Sequence, residues 1–297
     1  MDLVAKLGAE NRRCRSVAME SALIELRFRA AKLVRESSAG DFCLGQYPPA
    51  RHFGHERGLP DISRGELTSE VLAEAILGHA GLVVRGFFDA DTVGKLVAQI
   101  REEQSLENTE SPSSSPEIGC SPSAMYQLIS AYEECGFLEC VSEYFGEPAL
   151  MHAERAKLRR RVKGRDNYAV IPWHQDVNFF LHKSFALNVW CALNPVGQDN
   201  PGLAIVPRRT EQRLFWRGEG VAPLDYGNSF SSEELQDFCV DHPVQYPVLD
   251  PGDAVIFDEM TLHSTASRPW RLAEQLVAIS WFFRASRFPG KGTPVAV

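Results

Sequence analysis

Two short stretches carry residues whose types and spacing can do chemistry: His174-Gln175-Asp176 in IPWHQDVNFF, and His263 in GDAVIFDEMTLHSTA. On an extended strand, residues i and i+2 point to the same face. The imidazole of His174 and the carboxylate of Asp176 then converge, with Gln175 directed away. Such a pair alone is more often a satisfied hydrogen bond than a ligand pair. His263 changes that balance, because it sits where an apolar strand runs to a polar end. A closed β-fold brings distant strands of this kind together at its mouth. Two histidines and one carboxylate are the facial set favoured by non-haem Fe(II) oxygenases, with three of six positions left open. Zinc with one open tetrahedral position suits the same donors. Ligand type alone also leaves copper and manganese open.

The elements that must position these residues change character along the chain. Apolar residues at helical spacing mark Glu20 to Glu36. A Gly/Pro-rich segment, 38–64, reads as irregular. Ser69 opens a helix ending near Gly78, before the strand-like GLVVRGFF, and Asp89-Ala-Asp91 caps another helix. The Ser/Pro/Glu-rich tract 105–123 is expected to be a mobile loop. A helix from Met125 to Phe145 follows. Beyond Pro148, short β-rich runs alternate with turn signals: FALNVWCAL, GLAIVP, DAVIFDEM and QLVAISWFF. No βαβ rhythm, repeat or phosphate-binding glycine motif is present. The expectation is one domain, 1–297, of mixed α+β, mainly β, class. Residues 1–146 form a largely helical region, and 147–290 form a jelly-roll core with helices packed on one face.

Composition limits the partners. The 297 residues include 31 Lys and Arg against 39 Asp and Glu, for a net charge of −8. That excludes a general nucleic-acid binder, which needs a basic surface, yet leaves room for a local basic pocket. No apolar run approaches the roughly 18–20 residues that span a bilayer. The N-terminal residues lack an apolar leader core. The seven cysteines show no CxxC pair, which fits scattered reduced thiols and a cytoplasmic location.

WHQD, then LNVWCALNP, PGLAIVPRR and LDPGDAVIFDEMTLHSTA, in that order, resemble the phytanoyl-CoA dioxygenase-like family over about Glu147 to Pro289. The resemblance implies a double-stranded β-helix of the cupin-like kind and an Fe(II)- and 2-oxoglutarate-dependent oxygenase. It makes His174, Asp176 and His263 the iron ligands. It also implies that 2-oxoglutarate chelates the iron through its 1-carboxylate and 2-keto oxygen. Trp190 and Thr265 match positions that contact the cosubstrate, and Gln175 is grouped with them. The far carboxylate of 2-oxoglutarate usually meets an arginine, whose planar fork suits it. That arginine belongs on the strand after the distal histidine, where this chain has Gln275. Arg271, of the same strand parity, is the first substitute expected. Arg268 and Arg159, Arg160 and Arg161 of KLRRRVKGR are further ones.

Among the remaining residues, Asn178 and Phe180 are expected to touch substrate, with Val177 and Phe179 in the same loop. Asn188 and Asn194 are read as orienting ligands from behind, and Asp253 as part of a turn. His52 and His55 read as surface histidines, and His152 and His182 as structural or substrate-lining. Ser123, Ser264 and Cys191 have no base partner, so nucleophilic catalysis has no support. The expected function is oxidation, by default hydroxylation, of a C–H bond of a small molecule of specialised metabolism, with O2. Halogenation is disfavoured, since Asp176 fills the position a halide needs. The rival readings are an iron oxygenase that dispenses with 2-oxoglutarate, motivated by Gln275, and a non-catalytic metal-binding jelly roll. Substrate identity and oligomeric state are not legible.

Overall fold

The computed structural model describes residues 2–38, 52–54, 58–107, 117–118, 121–162, 171, 173–179, 184–210, 232–266, 274–290 and 292–297. In chain order, the helices are α1 (Asp2–Arg13), α2 (Val17–Ser37), α3 (Ser69–His79), α4 (Ala90–Glu107), α5 (Pro122–Glu134), α6 (Phe137–Phe145) and α7 (Ser232–Cys239). The strands are β1 (Asp61–Ser63), β2 (Gly81–Arg85), β3 (Glu117–Ile118), β4 (Ala149–His152), β5 (Lys157–Val162), β6 (Leu187–Ala192), β7 (Leu203–Ile205), β8 (Ala254–Asp258), β9 (His263–Thr265), β10 (Glu274–Arg284) and β11 (Pro294–Ala296).

Local chemistry sets the helix ends. Ser16 caps α2, Thr68 caps α3 and Ser121 caps α5, each side chain accepting a backbone N–H in the first turn. Pro122 follows Ser121 at the start of α5. The single helix expected over Met125–Phe145 is two helices. Gly136 between them sits at φ +77°, a left-handed conformation that breaks a helix and costs glycine little. Of the 105–123 tract, 108–116 and 119–120 lie outside the described residues. Glu117–Ile118 pairs with β5.

The main sheet runs β1-β2-β8-β6-β10-β4-β11, with β5 also paired to β10 and β3 to β5. It reaches beyond the expected 147–290 core, taking β1 and β2 from before it and β11 from after it. A small sheet, β7–β9, lies apart and is extended by a His174–His263 bridge. Side chains alternate along the main strands. Leu187, Val189, Ile256, Ala278 and Phe282 face the helices and join the largest apolar cluster. Trp190, Val255, Phe257 and Val277 face the small sheet and join Leu203 and Ile205 in a second cluster. This is the jelly-roll arrangement expected from the strand pattern, with helices packed on the face that carries Leu187 and Phe282. Rings of Phe87, Tyr132, Phe137 and Phe282 lie 5.1–6.2 Å apart and pin the helical layer to the sheet. Among the described residues, no helix is long and apolar enough to cross a membrane.

Candidate metal centre

His174 and His263 are joined before any side chain is considered. Each backbone N–H donates to the other's carbonyl at 3.0 Å, making a hydrogen-bonded antiparallel pair. Their rings lie 4.2 Å apart, centroid to centroid. The chain is extended only as far as His174. Asp176 opens a 3-10 turn, Asp176–Phe179, so the expected simple strand alternation does not account for the convergence of the pair. The turn does the same work, bringing Asp176 Oδ1 within 3.5 Å of His174 Nε2 and 3.7 Å of His263 Nε2. Ligand atoms of the three residues all lie within 4.8 Å of one another, and all three are buried.

Two of the three donors are held from behind by contacts to Asn188 and Thr261. Asn188 Nδ2 donates to Asp176 Oδ2 at 2.9 Å, leaving Oδ1 turned to the histidines. His263 Nδ1 lies 3.0 Å from the Thr261 carbonyl, which accepts from an Nδ1–H and leaves Nε2 as the lone-pair donor. Burial, and then the neighbouring His174, press the His263 pKa down to about 4, so it is neutral and able to bind metal. Burial alone would raise the Asp176 carboxyl. His263, His174 and Asn188 outweigh it, and the carboxyl stays below its ordinary value. Two imidazoles and one carboxylate, oriented to one point, fit a divalent cation.

The triad opens into a cleft of about 720 Å³, counted to the solvent at its mouth. Trp190, Thr265 and Gln275 line it, as do Phe179 and Asn188. Gln175 is fully buried, and its amide donates to the Met260 carbonyl at 2.7 Å, so it braces the turn before His263 and is not among the lining residues. From the turn after the His-x-Asp motif it is Phe179, and not Asn178, that reaches the cleft. Phe180, Arg268 and Arg271 lie outside the described residues, as do His55 and His182. His52 is exposed against Glu74, and His152 packs on Phe288. Asn194 clamps the start of β10 through Glu274 O and Leu276 N. Asp253 ties β8 to β2 through Arg85 and the Gly86 amide.

Lining residues that the sequence reading missed include Arg155, Lys157, Phe257, Ile279 and Trp281. Strand parity gives Ile279 and Trp281, which continue the inward series from Gln275. Arg155 carried no such signal. It belongs to a 3-10 turn before β5 and lies 5.1 Å over each of the Phe179 and Trp281 rings.

A model of the family described as Phytanoyl-CoA dioxygenase (PhyH) matches residues 81–268, well over half of the chain. No curated protein sequence matches. Among solved structures, the epimerase SnoN in complex with Fe3+, alpha ketoglutarate and nogalamycin RO superposes with a TM-score of 0.54 at 16% identity, covering 73% of this chain and 83% of that one. EctD from S. alaskensis, with 2-oxoglutarate and 5-hydroxyectoine, gives 0.53 at 15% identity, covering 73% and 82%. At these identities the likeness is one of fold.

Proposed function

The chain belongs to the phytanoyl-CoA dioxygenase family, and from that premise we propose that it is an Fe(II)- and 2-oxoglutarate-dependent oxygenase acting on a C–H bond of a small organic molecule. The observation that carries this reading is the buried, pre-oriented set of His174, Asp176 and His263 at the floor of an open cleft. SnoN and EctD, which share the fold, have structures with alpha ketoglutarate or 2-oxoglutarate bound. Bound iron would supply the coordination positions for 2-oxoglutarate and O2, with oxidative decarboxylation to succinate and CO2 providing the oxidising power.

The protein's own residues do the rest. His263 offers Nε2 because Thr261 holds Nδ1, and Asn188 keeps Asp176 presenting one oxygen. Trp190 and Thr265 shape the cosubstrate side, and Gln275 closes its far end. On the substrate side, Phe179 and Trp281 form an aromatic wall. The whole chain, 1–297, works as one domain, a reading supported by a sheet that draws strands from both halves. Five described cysteines are free, which supports a cytoplasmic location. Gln275, a neutral amide where an arginine is usual, favours a second reading in which O2 is used without 2-oxoglutarate.

Anaerobic Fe(II) loading followed by 2-oxoglutarate titration tests the proposal. The visible charge-transfer band of the chelate should saturate at one 2-oxoglutarate per iron. His174→Ala, Asp176→Ala and His263→Ala should each abolish most Fe(II) binding with the circular dichroism unchanged. Fully iron-loaded wild type that shows no band, or consumes O2 without releasing succinate, would select the second reading.

A further inference from the structure

Gln275 is almost fully buried, and both ends of its amide are engaged. Nε2 donates to the Pro201 carbonyl at 2.7 Å, which fixes which end is which. Oε1 therefore faces the cleft wall as an acceptor, and Arg159 Nη2 lies 3.4 Å from it. Arg159 is itself 5% exposed and lines the same cleft as the metal triad. It belongs to β5, which pairs antiparallel with β10 so that Arg159 stands beside Val277 and Arg161 beside Gln275. Arg159 is thus the diagonal neighbour of Gln275 on the inward face, a separation long side chains bridge. Arg160, one residue on, turns the other way and pairs with Glu274.

Resting on the oxygenase reading above, we propose that Arg159 is the residue that receives the far carboxylate of 2-oxoglutarate, and that Gln275 is its positioning residue. The cation has moved one strand sideways, from β10 to β5, and the amide left behind on β10 aims it. Three observations support the move. The guanidinium is confined to a cleft that Gln275 and Thr265 also line. A guanidinium presents its five N–H donors as a planar fork, the geometry that matches a carboxylate. Gln275 cannot swing away to accept the carboxylate itself without abandoning Pro201 in a buried site, which is costly. A neutral amide at 275 also suits an arginine neighbour better than a second arginine would, since like charges a few ångströms apart repel.

The test compares 2-oxoglutarate with pyruvate, a 2-oxo acid with the same chelating end and no far carboxylate. Both are titrated anaerobically against Fe(II)-loaded protein, reading the chelate band rather than turnover. Wild type should prefer 2-oxoglutarate. Arg159→Gln should weaken 2-oxoglutarate by about ten- to a hundredfold, leave pyruvate unchanged and so erase the preference. Gln275→Leu, which removes the acceptor but not the cation, should give a smaller loss, again confined to 2-oxoglutarate. The exchanged pair, Arg159→Gln with Gln275→Arg, keeps the same two side chains in contact and should recover the preference. Undiminished discrimination in Arg159→Gln, or no recovery in an exchanged pair that still binds pyruvate, would overturn the assignment. Wild type that forms a chelate with neither acid would instead overturn the oxygenase reading on which it rests.

Discussion

Asn188 and Glu259 show how single buried polar residues set up this centre. The Asn188 amide, on β6, donates to the Asp176 oxygen that points away from the histidines. Asn188→Ala removes that bond without touching a ligand, and should weaken Fe(II) by about ten- to a hundredfold, read by competition with a colorimetric chelator. Glu259 works further back. Its Oε1 accepts from the Ser184 and Phe185 amides at 2.8 and 3.0 Å, holding Phe185 at φ +55° just before β6. Burial raises its carboxyl to about 7 against the Ser184 and Phe185 hydrogen bonds that lower it. The folded state therefore keeps this proton to higher pH than the unfolded chain does. Stability from the protonated form is complete below about pH 4.5 and lost as pH rises through about 7. Glu259→Gln preserves the two accepted bonds and cannot ionise. Relative to that variant, wild type should lose on the order of 3 kcal/mol between about pH 5 and about pH 8, measured by urea unfolding. A parallel pH dependence in both proteins would exclude Glu259 as the source.

At the scale of elements, the centre depends on turns that a period-based reading cannot resolve. The grouping of His174, Asp176 and His263 was legible because chemistry restricts candidate metal ligands to a few types, and because His263 follows an apolar run that becomes β8. The inward face of β10 was legible from alternation alone. The 3-10 turn at Asp176 was not, because a four-residue turn has no hydrophobic period. Nor was the contact between Arg159 and Gln275, which arises from the register of two strands more than a hundred residues apart in sequence. The break at Gly136 was missed because apolar residues continue at helical spacing on both sides of it. Gly252, in the turn before β8, shows how tightly such turns are built. It sits at φ +96°, and an added Cβ would lie 2.2 Å from the Phe88 carbonyl oxygen. That carbonyl's own residue donates its N–H to Gly252 O at 2.9 Å, and Gly252 N donates to Ala192 O at 2.8 Å. Gly252→Ala should cost about 2 kcal/mol or more, seen as a lower urea midpoint with an unchanged slope. A midpoint equal to wild type would show that the turn relaxes freely.

For the molecule as a whole, charge and layering answer two separate needs. The chain carries a net charge of −8, yet the cleft wall gathers Arg155, Lys157 and Arg159. A locally positive pocket in an acidic protein draws in a small dicarboxylate without making the surface attractive to nucleic acid. Phe282, Leu187 and Ile256 face the helices, while Val277, Trp190 and Val255, on the same three strands, face the small sheet. The sheet therefore has an apolar set to bury on each face. Removing residues 1–146 would strip β2 from β8, β3 from β5, and all of α2 to α6 from the apolar face. Each buried Leu, Ile or Phe so exposed forfeits about 1.5–3 kcal/mol, and several such losses exceed the whole stability of an ordinary domain. A fragment of residues 147–297, although it carries all three ligand residues, should therefore neither fold nor bind Fe(II). Its expected signature is no cooperative urea transition and no near-ultraviolet dichroism. A fragment that unfolds cooperatively and still loads iron would mean that the helical layer is a separate domain.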